Sequence, residues 1–284
     1  MRFFLFVLFA ICSITHNGQS KNDTHNSFDK KNTSNSEFNN LVWSDEFDGK
    51  GAIDTEKWFH QTQLPPGGDW WGGLIQHYTD RDTNSYLENG CLKLVAKKET
   101  FDDQGELKEY TSARLNSKFA FTYGKVEVRA KLPSGIGTWP AIWLLNKNIN
   151  EAGAYWEQQG FGTTHWPVCG EVDIVEHWGK NQDYVQSAVH NGSSAGDDVV
   201  NLGGRLIENV SDEFHTYSLV WSDDKMVFGI DGIVHYVYNP SVKDSSTWPF
   251  NSDQYMLLNI AIEPDIDPSF EESAMEIDYV RIYQ

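Results

Sequence analysis

The feature that most constrains the fold is a series of short β-type runs between residue 41 and the C-terminus. Residues 123–132 alternate apolar and charged side chains, as a strand of an antiparallel sheet with one buried face does. Residues 226–230 and 233–238 flank Asp231-Gly232, a dipeptide typical of two-residue hairpins. No long stretch shows apolar residues at the helical period. The pattern therefore predicts an all-β chain.

The first 40 residues predict export rather than a folded domain. Residues 1–19 carry Arg2 and a short apolar run, which indicates a signal peptide, and the run is too short to span a bilayer. Residues 20–40 are polar and predict a flexible linker before a single domain at 41–284. Cys12 follows a loose lipoprotein box, so an outer-surface lipid anchor is the alternative to simple cleavage. Either route gives a secreted or cell-surface protein.

The net charge limits the classes of molecule that this chain can bind, and the cysteine content limits its disulfides. The formal net charge of -19 disfavours nucleic acid and anionic membranes, and it also repels sulfated galactans, so a neutral polysaccharide fits better. Tryptophan occurs 11 times, which indicates aromatic surfaces that face a ligand. Within the predicted domain, Cys91 and Cys169 permit one disulfide at most and are equally consistent with two free thiols.

Residues 171–176, Glu-Val-Asp-Ile-Val-Glu, interleave three carboxylates with three β-branched residues. In a regular strand Glu171 and Asp173 share one face and Glu176 points to the other. A one-residue β-bulge between Asp173 and Glu176 would align all three acids. It would also allow the two glutamate carboxyls to approach to about 5 Å, the separation in retaining glycosidases. A solvated acidic strand or a set of calcium ligands is the alternative.

The surroundings of this stretch favour a sugar-binding cleft. Gly170, just before the first acid, allows close approach of another chain or a ligand. Aromatic side chains beside aligned carboxylates offer apolar platforms for sugar rings; they are Trp139, Trp143, Trp156, Trp166 and Trp178.

Residues 170–179 resemble the catalytic signature of glycoside hydrolase family 16, in the bulged form typical of laminarinases. The resemblance extends from about residue 41 to the C-terminus, through further blocks in the family order at residues 43–48, 110–115, 121–127, 137–145, 248–250 and 278–283. It implies a β-jelly-roll sandwich of two antiparallel sheets with a concave substrate cleft. We expect a monomer.

The resemblance assigns Glu171 as the nucleophile, Glu176 as the acid/base and Asp173 as the residue that holds the nucleophile in place. Hydrolysis of a neutral glycoside needs one carboxylate that attacks the anomeric carbon and one protonated acid that releases the leaving oxygen, so these two roles agree with the chemistry. The predicted substrate-binding residues are Trp139, Trp143, Arg114, His190, Asn259 and Trp166. Some of these have structural alternatives: core packing for Trp143, a backbone partner for Asn259 and a satisfied structural histidine for His190.

One block departs from the family. Many members carry an Asn-Asn-Glu-like stretch before a Tyr-Thr pair, whereas here residues 72–77 precede Tyr78. The polar sugar contacts of that stretch are therefore in doubt, and Gln76 or the pair Trp70-Trp71 are the candidate substitutes.

The resemblance also implies a structural Ca²⁺ on the convex side, held by Glu46, the carbonyl of Gly90 and Asp278. The alternative is that the two carboxylates are solvated or paired with Arg281. Catalysis by two carboxyls requires no cofactor.

Residues 146–166 interrupt the series of short β-type runs and predict a long loop. A loop of this length in a compact domain is usually functional or disordered, and its aromatic residues argue against disorder. Because it runs directly into the acidic strand, we expect it to shape one end of the cleft; a surface flap without ligand contact is the alternative.

The sequence thus predicts a secreted, retaining endo-β-1,3-glucanase that acts on laminarin. A mixed-linkage β-1,3-1,4-glucanase is the first alternative, because both substrates are neutral glucans. A non-catalytic glucan-binding module is the second. Such modules lack the catalytic glutamates, whereas this chain carries all three acids.

Overall fold

The structure, a computed structural model, describes residues 38–284. One four-residue helix, α1 (Tyr155–Gln158), and two 3-10 helices at Gly179–Asn181 and Gly196–Asp198 occur among these residues. The strands in chain order are β1 (Leu41–Asp45), β2 (Trp58–His60), β3 (His77–Tyr78), β4 (Ser85–Glu88), β5 (Cys91–Asp103), β6 (Glu106–Ser112), β7 (Arg114–Phe121), β8 (Gly124–Lys131), β9 (Thr138–Asn146), β10 (Glu171–His177), β11 (Tyr184–His190), β12 (Leu202–Leu206), β13 (His215–Trp221), β14 (Met226–Ile230), β15 (Ile233–Tyr238), β16 (Gln254–Ile262) and β17 (Glu272–Tyr283).

The strands form two sheets. The seven-stranded sheet has the order β12-β11-β10-β9-β16-β7-β2. The ten-stranded sheet has the order β15-β14-β13-β8-β17-β5-β6-β3, with β1 paired to β17 and β4 to β5. Every strand pair is antiparallel except β3 with β6, which is parallel. The predicted all-β sandwich is confirmed, with this one parallel pair as a detail that the alternation pattern does not contain.

The core lies between the sheets because each sheet turns one apolar face inward. Val126, Val128 and Ala130 of β8 are fully buried and alternate with charged residues. On the seven-stranded sheet, Ile142 and Leu144 of β9 reach the same core. The opposite face of β9 therefore carries Trp139 and Trp143, away from the main core.

The ends of the described chain meet. The backbone N–H groups of Asn40 and Gln284 each donate to the carbonyl of the other residue, over 3.1 and 2.9 Å. The predicted domain start at residue 41 coincides with the start of β1. The predicted signal peptide, Cys12 and most of the predicted linker lie outside the described residues.

Two open questions of the sequence receive answers. Cys91 and Cys169 are buried free thiols, so they do not pair with each other. Among the described residues, no helix has both the length and the apolar character needed to cross a membrane.

Candidate active site

The acidic stretch forms β10 and contains the predicted bulge. Against β11, Glu171 pairs with His190, Asp173 with Ala188 and Glu176 with Gln186. Three steps along β10 thus correspond to two along β11. The register against β9 also shifts, between Asp173 and Val175. The extra residue returns the third acid to the face of the first two, which confirms the bulge.

The bulge also explains why both residues inside it are apolar. Ile174 and Val175 are buried and belong to the core between the sheets, together with Val172. The three carboxyls therefore lie on the opposite face of the seven-stranded sheet, the face that the resemblance predicts to be concave. Asp173 and Glu176 are nonetheless buried there, which removes most of their water.

His190, which pairs with Glu171 across the two strands, lies within 4 Å of two of the acids. Its Nδ1 accepts a hydrogen bond of 3.2 Å from the backbone N–H of Gly196, so in the neutral ring the proton lies on Nε2. Nε2 is 3.3 Å from Asp173 Oδ2 and 3.8 Å from Glu171 Oε1. Ligand atoms of Glu171, Asp173 and His190 all lie within 4.8 Å of one another. The predicted site residue His190 therefore contacts the acids themselves.

Burial is the main cause that raises the pKa of all three carboxyls. The pKa of Asp173 and the pKa of Glu176 each rise to about 8, and the pKa of Glu171 also rises. Repulsion from neighbouring carboxylates adds to the increase at both glutamates, and His190 partly offsets it. Glu176 therefore keeps its proton at neutral pH, as a general acid must.

Glu171 and Asp173 share a site that cannot hold two full charges at low cost. We assign the negative charge of this pair to Glu171, because its side chain is 16% exposed whereas that of Asp173 is 5% exposed. A protonated Asp173 beside it can donate to the carboxylate and hold it in place. This assignment gives each acid a separate role.

Tryptophans line the same face beside the acids. Trp139 stacks on Trp178 with ring centroids 5.4 Å apart, and its buried indole N–H is directed at the carboxyl of Glu176, where it partly offsets the rise in pKa. Trp143 donates its indole N–H to Asn259 Oδ1 over 2.8 Å. The indole N–H of Trp143 is therefore already used within the protein, and its ring face is what it can offer to a sugar.

The comparisons with known proteins agree with this geometry. The model for glycosyl hydrolases family 16 matches residues 76–281. The chain belongs to glycoside hydrolase family 16. A β-glucanase of Rhodothermus marinus is 35% identical over 260 residues, which are 86% of this chain and 85% of the relative.

Solved structures of this family are also similar. LamA of Zobellia galactanivorans, solved in complex with laminaritriose and laminaritetraose, matches with a TM-score of 0.79 and 46% identity over 87% of this chain and 100% of that one. SCLam, a non-specific endo-β-1,3(4)-glucanase, matches with a TM-score of 0.76 and 33% identity over 88% of this chain and 95% of its own. The jelly-roll fold expected from the family resemblance is thereby confirmed.

In this family 16 hydrolase, the side-chain amide of Asn259 orients Trp143. Its Oδ1 accepts from Trp143, and its Nδ2 donates to the hydroxyl of Tyr78 over 3.2 Å. Gln76 is buried and accepts from the backbone N–H of Ile262 over 2.8 Å. The amide of Asn259 is thus engaged by protein partners on both sides, which fixes the orientation of Trp143 before any sugar binds.

Arg114, predicted to bind sugar hydroxyls, is buried and held by the protein. It donates from Nε to Gln61 Oε1 over 3.0 Å and from Nη2 to Glu151 Oε1 over 2.7 Å. Its guanidinium lies 5.3 Å from the ring centre of Trp70 and 5.0 Å from that of Trp143. Sequence reasoning missed Glu151 and Gln61, because neither stands in a motif or a periodic pattern.

The segment that joins β9 to β10 folds onto the sheet rather than away from it. Glu151, within this segment, binds Arg114 of β7, and Trp156 packs beside Leu145 and Tyr255. Further along, Trp166 is 45% exposed, and its ring centre is 5.9 Å from that of His190. An exposed indole next to His190, which itself contacts the acids, fits the predicted wall of the cleft. Trp71, of the pair considered as a substitute sugar contact, is exposed, while its neighbour Trp70 is buried.

The residues predicted to hold calcium do not fit the ion as they are placed. Both carboxylate oxygens of Glu46 accept from Arg281, over 3.0 and 2.7 Å, as the alternative interpretation expected. Asp278 accepts from Arg129, and Gly90 forms the turn between β4 and β5. An ion would have to displace two arginines. The calcium site therefore stays a prediction, and no step of catalysis depends on it.

Proposed function

We propose that this family 16 hydrolase is a secreted endo-acting β-1,3-glucanase that cleaves laminarin with retention of configuration. The observation that carries the proposal is the bulge in β10, which places Glu171, Asp173 and Glu176 on one face beside exposed tryptophan. The similarity to LamA, solved in complex with laminaritriose and laminaritetraose, supports the choice of glucan.

The reaction needs two carboxyls in turn. Glu171 attacks the anomeric carbon while Glu176 gives its proton to the leaving oxygen, and a glycosyl ester forms on Glu171. Glu176, now ionised, then takes a proton from water, which attacks the anomeric carbon and releases Glu171. The raised pKa of Glu176 suits both steps of the reaction, because the group can donate its proton when the glycosyl ester forms and recover one from water when the ester is hydrolysed.

A mixed-linkage β-1,3-1,4-glucanase is the second candidate, favoured by the similarity to the non-specific SCLam. A reducing-sugar assay on laminarin, barley glucan, agarose and carrageenan separates the two. We expect hydrolysis of laminarin to be fastest and the sulfated galactan to be untouched. Equal efficiency on barley glucan would favour the broader enzyme. No release from any of the four would contradict the proposal as a whole.

Retention is tested separately by following the first product with NMR. We expect the β-anomer to appear first, because a covalent glycosyl-enzyme implies two inversions. An α-anomer that appears first would exclude Glu171 as a nucleophile.

Further parts of the proposal concern partners and location. We propose a monomer at the outer cell surface or in the medium, with or without a lipid on Cys12, that binds neutral glucan and no nucleic acid. The net charge of -19 supports the choice of a neutral partner. Catalysis uses no cofactor, and the structural Ca²⁺ is tested by comparing the Tm in EDTA with that in added Ca²⁺.

A further inference from the structure

Ser187 lies directly behind the catalytic bulge. It is the residue of β11 between Ala188, which pairs with Asp173, and Gln186, which pairs with Glu176. Ser187 therefore opposes the two inserted positions, Ile174 and Val175. Since its neighbours face the concave side, its own side chain points into the core, where it is fully buried.

The hydroxyl of Ser187 binds the backbone of the bulge. Its Oγ is 2.7 Å from the carbonyl oxygen of Ile174. A carbonyl oxygen can only accept, so Ser187 uses its single proton in this bond. A bulge disrupts the regular ladder of backbone hydrogen bonds, and a side-chain donor at this point stabilises one geometry of the inserted residue.

A histidine of the other sheet completes the chain of bonds. His235 of β15 places Nε2 2.9 Å from Ser187 Oγ. Because the serine proton is already used, His235 must be the donor, with its proton on Nε2. Nδ1 is buried and has no hydrogen-bond partner in the described part of the chain. Burial and the nearby Arg205 lower the pKa of His235 to about 4, so the ring stays neutral.

We infer that Ser187 and His235 are positioning residues for catalysis. The chain His235 Nε2–H to Ser187 Oγ–H to the Ile174 carbonyl fixes the bulge from behind, and the bulge sets the spacing of Glu171 and Glu176. Neither residue touches the sugar. Their loss changes the distance between nucleophile and acid, to which the reaction is sensitive, while the tryptophan surfaces that bind glucan are left in place.

This inference rests on the proposed function, so it is tested with the full chain on laminarin. Ser187→Ala and His235→Leu should each lower kcat about tenfold or more, with KM within about twofold of the wild-type value. His235→Gln retains an N–H donor and should restore most of kcat. Since both residues act through one carbonyl, the double variant should be no slower than Ser187→Ala alone.

Two matched controls separate positioning from general stability. Ser218 of β13 binds the carbonyl of Gly229 in β14 over 3.3 Å, and His215 of β13 binds Asp231, in the turn between β14 and β15, over 2.7 Å. Ser218→Ala and His215→Gln should keep the wild-type kcat even if the Tm falls.

The kinetics of the variants test the positioning role, and the activity of the wild type tests the proposed function. An active wild type whose Ser187 and His235 variants keep full kcat would overturn the inference, and so would additive losses or a failure of His235→Gln to restore turnover. If Ser187→Ala does not fold, the two His235 variants still decide. A wild type that hydrolyses no glucan would instead contradict the proposed function.

Discussion

Two sets of acids with little exposure have different partners: Glu151, in the segment between β9 and β10, and the three acids of β10. Glu151 forms an ion pair with Arg114, and both side chains are more than nine-tenths buried. In the described chain, Glu171, Asp173 and Glu176 form no ion pair with lysine or arginine, and His190 is the one side chain that pairs with two of them. A buried acid with an arginine can stay charged and structural, whereas a buried acid without one, such as Glu176, retains its proton near neutral pH and can transfer it.

The largest effect should come from the nucleophile. Glu171→Ala should lower kcat on laminarin by about a thousandfold or more, while the Kd for laminarin oligomers stays close to that of the wild type, because the covalent step is lost and little sugar contact is. Glu151→Gln is the matched control and should retain most of the turnover. Residual activity of a tenth or more in Glu171→Ala would show that another residue is the nucleophile.

Loss of Glu151, the acid that pairs with Arg114, should lower stability more than loss of Glu171. Glu151→Ala leaves Arg114 buried without its charge partner and should lower the free energy of unfolding by about 3 to 5 kcal/mol. Glu171→Ala should lower it far less and can raise it, because it removes a buried carboxyl without an arginine partner. Urea unfolding of the two variants measures the contrast. Equal losses would mean that the two sets of acids do not differ as described.

The pH dependence of stability and of kcat/KM should reflect the three acids of β10, which have no arginine or lysine partner. Burial raises the pKa of Glu176 from 4.5 to about 8, so the folded chain binds this proton more tightly than the unfolded chain. Its contribution to stability is therefore largest at low pH and is lost as the pH rises between 4.5 and about 8. Above about 8, kcat/KM should fall about tenfold per pH unit as the general acid ionises.

A pH–rate profile with Glu176→Ala as the companion variant checks this. Azide should restore turnover in that variant, since it can attack the glycosyl-enzyme without a general base. Asp173 has its pKa in the same range, so the profile reports the coupled group of acids. Constant kcat/KM between pH 7 and 10 would contradict the assignment of Glu176 as a protonated acid.

The smallest effect concerns the segment that Glu151 holds down. Replacing residues 152–162 with a short Gly-Ser turn should change the ratio of kcat/KM for laminarin to that for barley glucan, because curved and straighter chains meet a wall differently. One stacking contact limits the change to about 1 to 3 kcal/mol. An unchanged ratio in a variant with wild-type Tm would make the segment a surface flap.

The sequence by itself determined the fold class, the strands and the alignment of the acids. Alternation and turn residues identify a strand because side chains of a strand face opposite sides, and the bounds predicted for β14 and β15 match the structure. The bulge followed from the same geometry: three acids at odd spacing align only if one residue is inserted. These features depend on residues near one another in the chain.

Only the tertiary structure decided which polar groups are already satisfied. Arg114 meets Glu151 from 37 positions away, and Asn259 meets Tyr78 from 181 positions away. No local pattern connects such pairs, so both residues were predicted to bind sugar when the fold had already engaged them. The roles of Ser187 and His235 were hidden for the same reason, because a hydrogen bond between two sheets exists only once the sheets are packed.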